Sequence, residues 1–244
     1  MDGHMTPAER ILVYPKEEFA ARAAAVIAEE IREAAEVRGR CSLMLAGGST
    51  PRPVYAELSR SPLIPWEDVD IYFGDERGVG PDHPKSNYGS ARQWLLQHAR
   101  ISALNVHRMQ GERPDLNRAA REYQSLLPAR IDVLLLGIGV DGHVASIFPL
   151  SPALDAGDDR VRAVRAPVSR EGRITITPKV IREARTVTVL ARGSLKASAI
   201  ERTLASDTPV ERCPARMLRG ATWLLDEEAA RRIDVTATAR EALR

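Results

Sequence analysis

The chain has 244 residues, 44% hydrophobic and 28% charged, with 35 Lys and Arg against 33 Asp and Glu for a formal charge of +2. That composition suffices for the core of one α/β domain and excludes a disordered chain; basic residues spread among acidic ones argue against a general nucleic-acid or membrane-surface binder and leave room for a small anionic ligand at a local positive site. Two cysteines, Cys41 and Cys213, imply neither a disulfide framework nor a metal cluster, no window reaches the ~18 apolar residues of a membrane span, and the opening MDGHMTPAERILVYP lacks an apolar signal core, so a soluble cytoplasmic protein is expected.

In chain order, residues 10–14 (RILVY) read as a short strand. Residues 16–37, rich in Ala, Glu and Ile with apolar positions three to four apart, read as a long amphipathic helix ended by Gly39. A buried strand at 41–46 (CSLMLA) leads into the loop Gly47-Gly48-Ser49-Thr50 and a helix opened by Pro51, a residue tolerated in a first helical turn. Residues 69–73 (VDIYF) form a third strand running into the charged loop Gly74-Asp75-Glu76-Arg77. The loop 78–85 holds Pro81 and Pro84, and Ser86 or Asn87 caps a helix through Gln97. Residues 105–109 are a further strand candidate, and 116–127 a helix that stops at Pro128.

The apolar run 133–136 is too short for an ordinary helix and is bounded by turn residues, which predicts a strand buried on both faces. Strand pieces follow at 161–166 and 173–177, separated by Pro167, with a short helix at 178–184 and a strand at 186–190. The loop Ala191-Arg192-Gly193-Ser194 then opens a helix from about 195 to 205, and a strand at 221–225 and a short helix at 227–233 complete the chain. Strands alternating with helices predict a Rossmann-like α/β fold, a mainly parallel sheet with helices on both faces. Neither repeat nor linker interrupts it, so residues 1–244 are expected to form a single domain. Ligands of such sheets bind beyond the carboxyl ends of the strands, where the loops 47–50, 74–77, 137–143 and 192–196 should converge.

Those loops carry the chemistry. Gly47-Gly48-Ser49-Thr50 before a helix brings free backbone N–H groups, a positive dipole end and two hydroxyls to one spot, suited to phosphate; a plain tight turn with an N-cap serine is the alternative. Gly193-Ser194-Leu195-Lys196 repeats the arrangement with a lysine, which either faces an anion or is an ordinary surface residue. Asp75-Glu76-Arg77 is either a solvated turn or, at the rim of a parallel strand, a ligand-facing group in which Arg77 pairs with a phosphate or carboxylate and Asp75 accepts from hydroxyls.

Gly137, Gly139 and Gly142 match the dinucleotide fingerprint G-x-G-x-x-G, but Pro149 and Pro152 leave no length for the crossover helix that fingerprint requires. The loop therefore presents His143, either as a general base for water or as a structural cap. His83, His98, His107 and His4 lack such a setting. The absence of G-x-S-x-G disfavours an acyl-enzyme, and the absence of H-E-x-x-H or paired cysteines disfavours metal.

Taken together, GGSTP at 47–51, DER at 75–77 with Ser86-Asn87, GIGVDGHVASIFP at 137–149, RITITP at 173–178 and GSLK at 193–196 resemble the 6-phosphogluconolactonases of the glucosamine-6-phosphate isomerase/6-phosphogluconolactonase family, in order and over essentially the whole domain. The resemblance implies a fold of the NagB/RpiA/CoA transferase-like kind and hydrolysis of 6-phospho-D-glucono-1,5-lactone without metal or organic cofactor. It makes His143 the general base. It makes Gly48, Ser49, Thr50, Arg77 and Lys196 phosphate and substrate contacts, and it places Asp75 and Arg173 in the site. Glucosamine-6-phosphate deaminases look similar, but their family carries a Glu after the His in F-N-E-P, where this chain has Ser146-Ile147-Phe148-Pro149, and a tyrosine where this chain has Arg77. A non-catalytic sugar-phosphate sensor would need a partner module for which no segment is left over. The expected partner is thus a phosphorylated sugar lactone, met by a monomer or small homo-oligomer, with no nucleic acid or membrane.

Overall fold

A computed structural model describes residues 10–204 and 207–234; His4 and Ala205 lie outside them. The first strand is β1 (Arg10–Tyr14), followed by α1 (Phe19–Arg38), whose end is set by Gly39 at a left-handed φ of 76° donating its N–H to Ala35 O at 2.7 Å. Next come β2 (Cys41–Leu45), α2 (Pro51–Leu58), β3 (Val69–Phe73) and β4 (Asp75–Arg77). Then follow α3 (Asn87–Ala91), which widens into a π turn over Arg92–Leu96, α4 (Leu116–Gln124), β5 (Val133–Gly137), β6 (Val161–Arg165) and β7 (Gly172–Ile176). The chain finishes with α5 (Pro178–Glu183), β8 (Thr186–Ala191), α6 (Ala197–Leu204), β9 (Thr222–Asp226) and α7 (Glu227–Ala230).

Six strands form one parallel sheet in the order β1-β9-β8-β5-β2-β3. Its central strands are mainly apolar, β5 throughout, because both faces are covered. Leu43, Leu45, Val133 and Leu135 pack with α1 and α2 on one face, and Met44, Leu134 and Leu136 face the opposite core, with α4 to α7. From β2 the chain steps outward to β3, whereas from β5 it steps the other way to β8 and β9, so a crevice opens between the loops that follow β2 and β5.

Two expectations change. The charged triplet 75–77 is a strand, not a loop: β4 pairs antiparallel with β7, which pairs with β6, in a separate small sheet. Gly74 joins the two sheets, donating to Leu45 O at 3.0 Å and accepting from Ile176 N at 2.9 Å. The candidate strand 105–109 makes a single bridge, Val106 to Ile71, because the preceding residues wind into a 3-10 turn at Ala103–Asn105.

Glu30 of α1 lies against the sheet and accepts from Thr188 Oγ1 at 2.9 Å. Burial pushes its carboxyl up to about 7, the Thr188 bond opposing the rise. A folded-state value above the ordinary 4.5 means that the native state holds the extra proton between the two values, so this group's contribution to stability falls as pH rises from about 4.5 through about 7. Glu30→Gln, which keeps a partner for Thr188, should therefore stabilise the fold by about 1–3 kcal/mol at pH 8 and by almost nothing at pH 4.5. Urea unfolding at the two pH values checks this, and an equal effect at both would contradict it.

Candidate active site

The loops after β8, β5, β2 and β3, four adjacent strands, surround a cavity of about 540 Å³. All the residues singled out from sequence line it: Gly48, Ser49, Thr50, Asp75, Arg77, His143, Arg173 and Lys196. On the β2 side, Gly48 turns the chain at φ 94° and Thr50 precedes α2 without its side chain capping the helix. The helix amide end and two hydroxyls thus stay available to an anion. A Cβ at 47 would come within 2.2 Å of Asn87 Oδ1, so a side chain there would push the Asn87 amide off Asp75.

On the β5 side, the glycine loop folds back on itself, with Gly139 N donating to His143 O at 2.8 Å and Gly142 N to Gly139 O at 3.0 Å. Asp141 Oδ1 accepts the backbone N–H of His143 at 3.1 Å and lies 2.6 Å from the ring Nδ1. A carboxylate only accepts, so Nδ1 donates to it, and in the neutral imidazole Nε2 is then the acceptor that a general base needs. Burial raises the Asp141 carboxyl, but the bond from His143 and its charge outweigh that and hold it below the usual range. The Phe148 ring, 4.8 Å from the imidazole between centroids, backs the other side.

The triplet 75–77 is not a solvated turn. Asp75, 8% exposed, accepts Asn87 Nδ2 at 2.9 Å on Oδ1 and Ser146 Oγ at 2.7 Å on Oδ2, so it orients two neighbours while lining the cavity. Glu76 turns away and binds the start of α3, accepting from Asn87 N at 2.7 Å, Tyr88 N at 2.8 Å, Arg77 N at 2.8 Å and Ser86 Oγ at 3.0 Å. Burial raises its carboxyl and these bonds oppose the rise.

Arg77 and Arg173 face each other across the β4–β7 ladder. Each leaves its buried Nε–H without a partner among the described residues, a deficit that an anion would remove. Burial first, and Arg77 second, lower the Arg173 pKa. Burial also lowers that of Lys196, with Asp141 opposing. The Lys196 loop differs from the expected copy of 47–50: Gly193 N is already bound to Asp226 Oδ1 at 2.9 Å, so the loop's contribution is the ammonium and not its first amide. Among the described residues no group of three or more His, Cys, Asp or Glu is placed to hold a metal ion.

Sequence reasoning missed Asp141, Asn87 as a ligand of Asp75, Ser146, and Glu171, which pairs with Arg173 at 3.1 Å. Asp141, two positions before His143 in a glycine turn, had a usable signal, since an Asx side chain bonds the amide two residues on. Asn87 and Ser146 meet Asp75 only through the fold, whereas Glu171 is two positions from Arg173.

The cavity at the carboxyl rim of a parallel sheet, with an oriented histidine and three cations, defines an α/β enzyme for a small anionic substrate. The chain belongs to the glucosamine-6-phosphate isomerase/6-phosphogluconolactonase family, whose model matches residues 15–225. A 6-phosphogluconolactonase of Synechocystis sp. is 35% identical over 92% of this chain and 98% of its own length, and one of Haemophilus influenzae is 34% identical over 84% and 93%. The solved 6-phosphogluconolactonase of Trypanosoma brucei superposes with a TM-score of 0.81 at 32% identity, covering 93% of this chain and 99% of that one. That of Thermotoga maritima gives 0.81 at 28%, covering 90% and 100%. A monomeric glucosamine-6-phosphate deaminase, at 24% identity and a TM-score of 0.80 over 92% of this chain and 100% of its own, shares the fold.

A Cβ on Gly139 would lie 2.1 Å from His143 Nδ1 and 2.6 Å from Asp141 Oδ1, whereas one on Gly137 would meet only Leu190 O at 3.9 Å. Gly139→Ala should thus part the Asp141–His143 pair, seen as a changed imidazole tautomer signal by ¹⁵N NMR, and Gly137→Ala should leave it alone.

Proposed function

We propose that this protein hydrolyses 6-phospho-D-glucono-1,5-lactone to 6-phospho-D-gluconate, as a carboxylic ester hydrolase of the oxidative pentose phosphate pathway. The observation that carries the mechanism is the Asp141–His143 pair opening onto a cavity with three cations. Gly48, Ser49, Thr50, Arg77, Arg173 and Lys196 hold the phosphate end, so that the lactone carbonyl lies beside the imidazole.

His143 Nε2 takes a proton from water as its oxygen attacks the carbonyl carbon, and the Asp141 carboxylate stabilises the imidazolium that forms. The oxyanion is stabilised by backbone N–H groups of the 137–143 loop other than those of Gly139, Gly142 and His143, which the loop itself uses. Collapse of the tetrahedral adduct breaks the ring C–O bond, and the imidazolium returns its proton to the departing ring oxygen. Asp75 holds Asn87 and Ser146 in place beside these groups.

The deaminase alternative is disfavoured because Ser146-Ile147-Phe148-Pro149 supplies no carboxylate, and Ser146 is instead bound to Asp75. The protein acts in the cytoplasm as a monomer or small homo-oligomer; no described helix is long and apolar enough to cross a membrane.

Fresh 6-phosphogluconolactone should release acid faster than it does spontaneously, and glucosamine 6-phosphate should release no ammonia; ammonia without acid would overturn the proposal. His143→Ala should lower kcat by ~10²- to 10⁴-fold with little change in binding. Lys196→Met should chiefly raise KM, through loss of a charge-assisted bond worth about 1.5–3 kcal/mol.

A further inference from the structure

Two guanidinium groups on paired strands repel each other, and Arg77 and Arg173 stand opposite one another in the β4–β7 register. Neither is held by a carboxylate on its own strand within the cavity: Asp75 is bound to Asn87 and Ser146, and Glu76 to the start of α3. Their restraint comes from outside the cavity. Arg77 donates an Nη1–H to the carbonyl of Lys85, at the end of the two-proline loop, and Arg173 donates from Nη2 to Glu171 Oε2 at 3.1 Å. The circuit closes because the Lys85 ammonium bonds Glu171 Oε1.

One carboxylate thus joins the loop that holds the first arginine to the side chain of the second. Its side chain is 29% exposed, and that of Arg173 14%. Glu171 is held ionised by Lys85, the bond from which keeps its carboxyl below the usual range. Around it, Ser169 Oγ at 3.4 Å and Arg173 complete the polar neighbours.

We propose that Lys85 and Glu171 are a positioning pair, a clamp across the cavity mouth that sets Arg77 and Arg173 at the spacing that receives the phosphate of the substrate. This rests on the phosphorylated lactone proposed above. Neither residue lines the cavity, and neither is assigned contact with the reacting atoms.

Charge and position make opposite demands, which allows a test. Glu171→Ala makes the site more positive, and Lys85→Met makes it more negative. If the two residues act only through their field, the first variant binds the anionic substrate more tightly and the second more weakly. If they act by positioning, both raise KM for 6-phosphogluconolactone by ~3- to 10-fold, the scale of one misdirected hydrogen bond at a partly exposed site. In that case kcat moves far less, and turnover of unphosphorylated glucono-1,5-lactone is affected far less than that of the phosphorylated lactone. The double variant should be no worse than the poorer single one, since both break one circuit. Glu171→Asp should recover part of the loss.

Opposite shifts, no shift, or equal losses on the two lactones would overturn the clamp. Titration with inorganic phosphate, followed calorimetrically, separates the two proposals. If the wild type does not hydrolyse the lactone, the proposed reaction falls, while weaker phosphate binding in both single variants would still support the clamp and unaltered binding would reject it.

Discussion

The Asp75 carboxylate sits where the two sheets meet, takes the Asn87 amide on one oxygen and the Ser146 hydroxyl on the other, and in doing so links the end of β3, the start of α3 and the loop after β5. Asn87 in turn packs so close to Gly47 that a side chain there would push its amide off Asp75. The loop after β2, the histidine loop and the arginine strand are therefore placed with respect to one buried carboxylate. A carboxylate 8% exposed must be bonded to be tolerated, and here the bonding groups are parts of the site itself. Fold stability and site geometry rest on the same residues: removing either partner would leave a buried carboxylate short of hydrogen bonds and loosen a cavity-lining loop together.

Around that junction the charges are sorted by burial. Arg77, Arg173 and Lys196 face the cavity, two of them with pKa values lowered chiefly by burial, so the proposed phosphate would meet cations that water solvates poorly. Acidic groups are kept occupied: Glu76 by α3, Asp75 by Asn87 and Ser146, Asp141 by His143. A site arranged this way presents cations at one end and the His143 imidazole at the other, which is what water-driven opening of a phosphorylated lactone demands.

Much of this could be read along the chain. Strands at 10–14 and 69–73 coincide with the observed β1 and β3, since short apolar runs bounded by turn residues have few other options. The four rim loops follow from alternation of strands and helices alone. Of the small antiparallel sheet, the strands at 161–166 and 173–177 were legible, but β4 was hidden because a triplet of charges looks like solvent-exposed backbone; its acids are buried chiefly through partners ten or more positions away, Ser86 and Asn87 for Glu76, and Asn87 and Ser146 for Asp75. Register across β4 and β7, and with it the facing arginines, has no trace in local sequence. Glu171 has one partner close in sequence, Arg173 two positions on, but Lys85 reaches it only through the fold, from 86 positions away.

The central claim is that an ionised Asp141 makes His143 a base. Asp141→Asn keeps an acceptor oxygen for the backbone N–H of His143 but removes the charge that supports the imidazolium in the transition state. Steady-state hydrolysis of fresh 6-phosphogluconolactone, corrected for the spontaneous rate, should show kcat reduced by about 10²-fold or more with KM nearly unchanged. A kcat equal to that of the wild type would contradict the proposed mechanism.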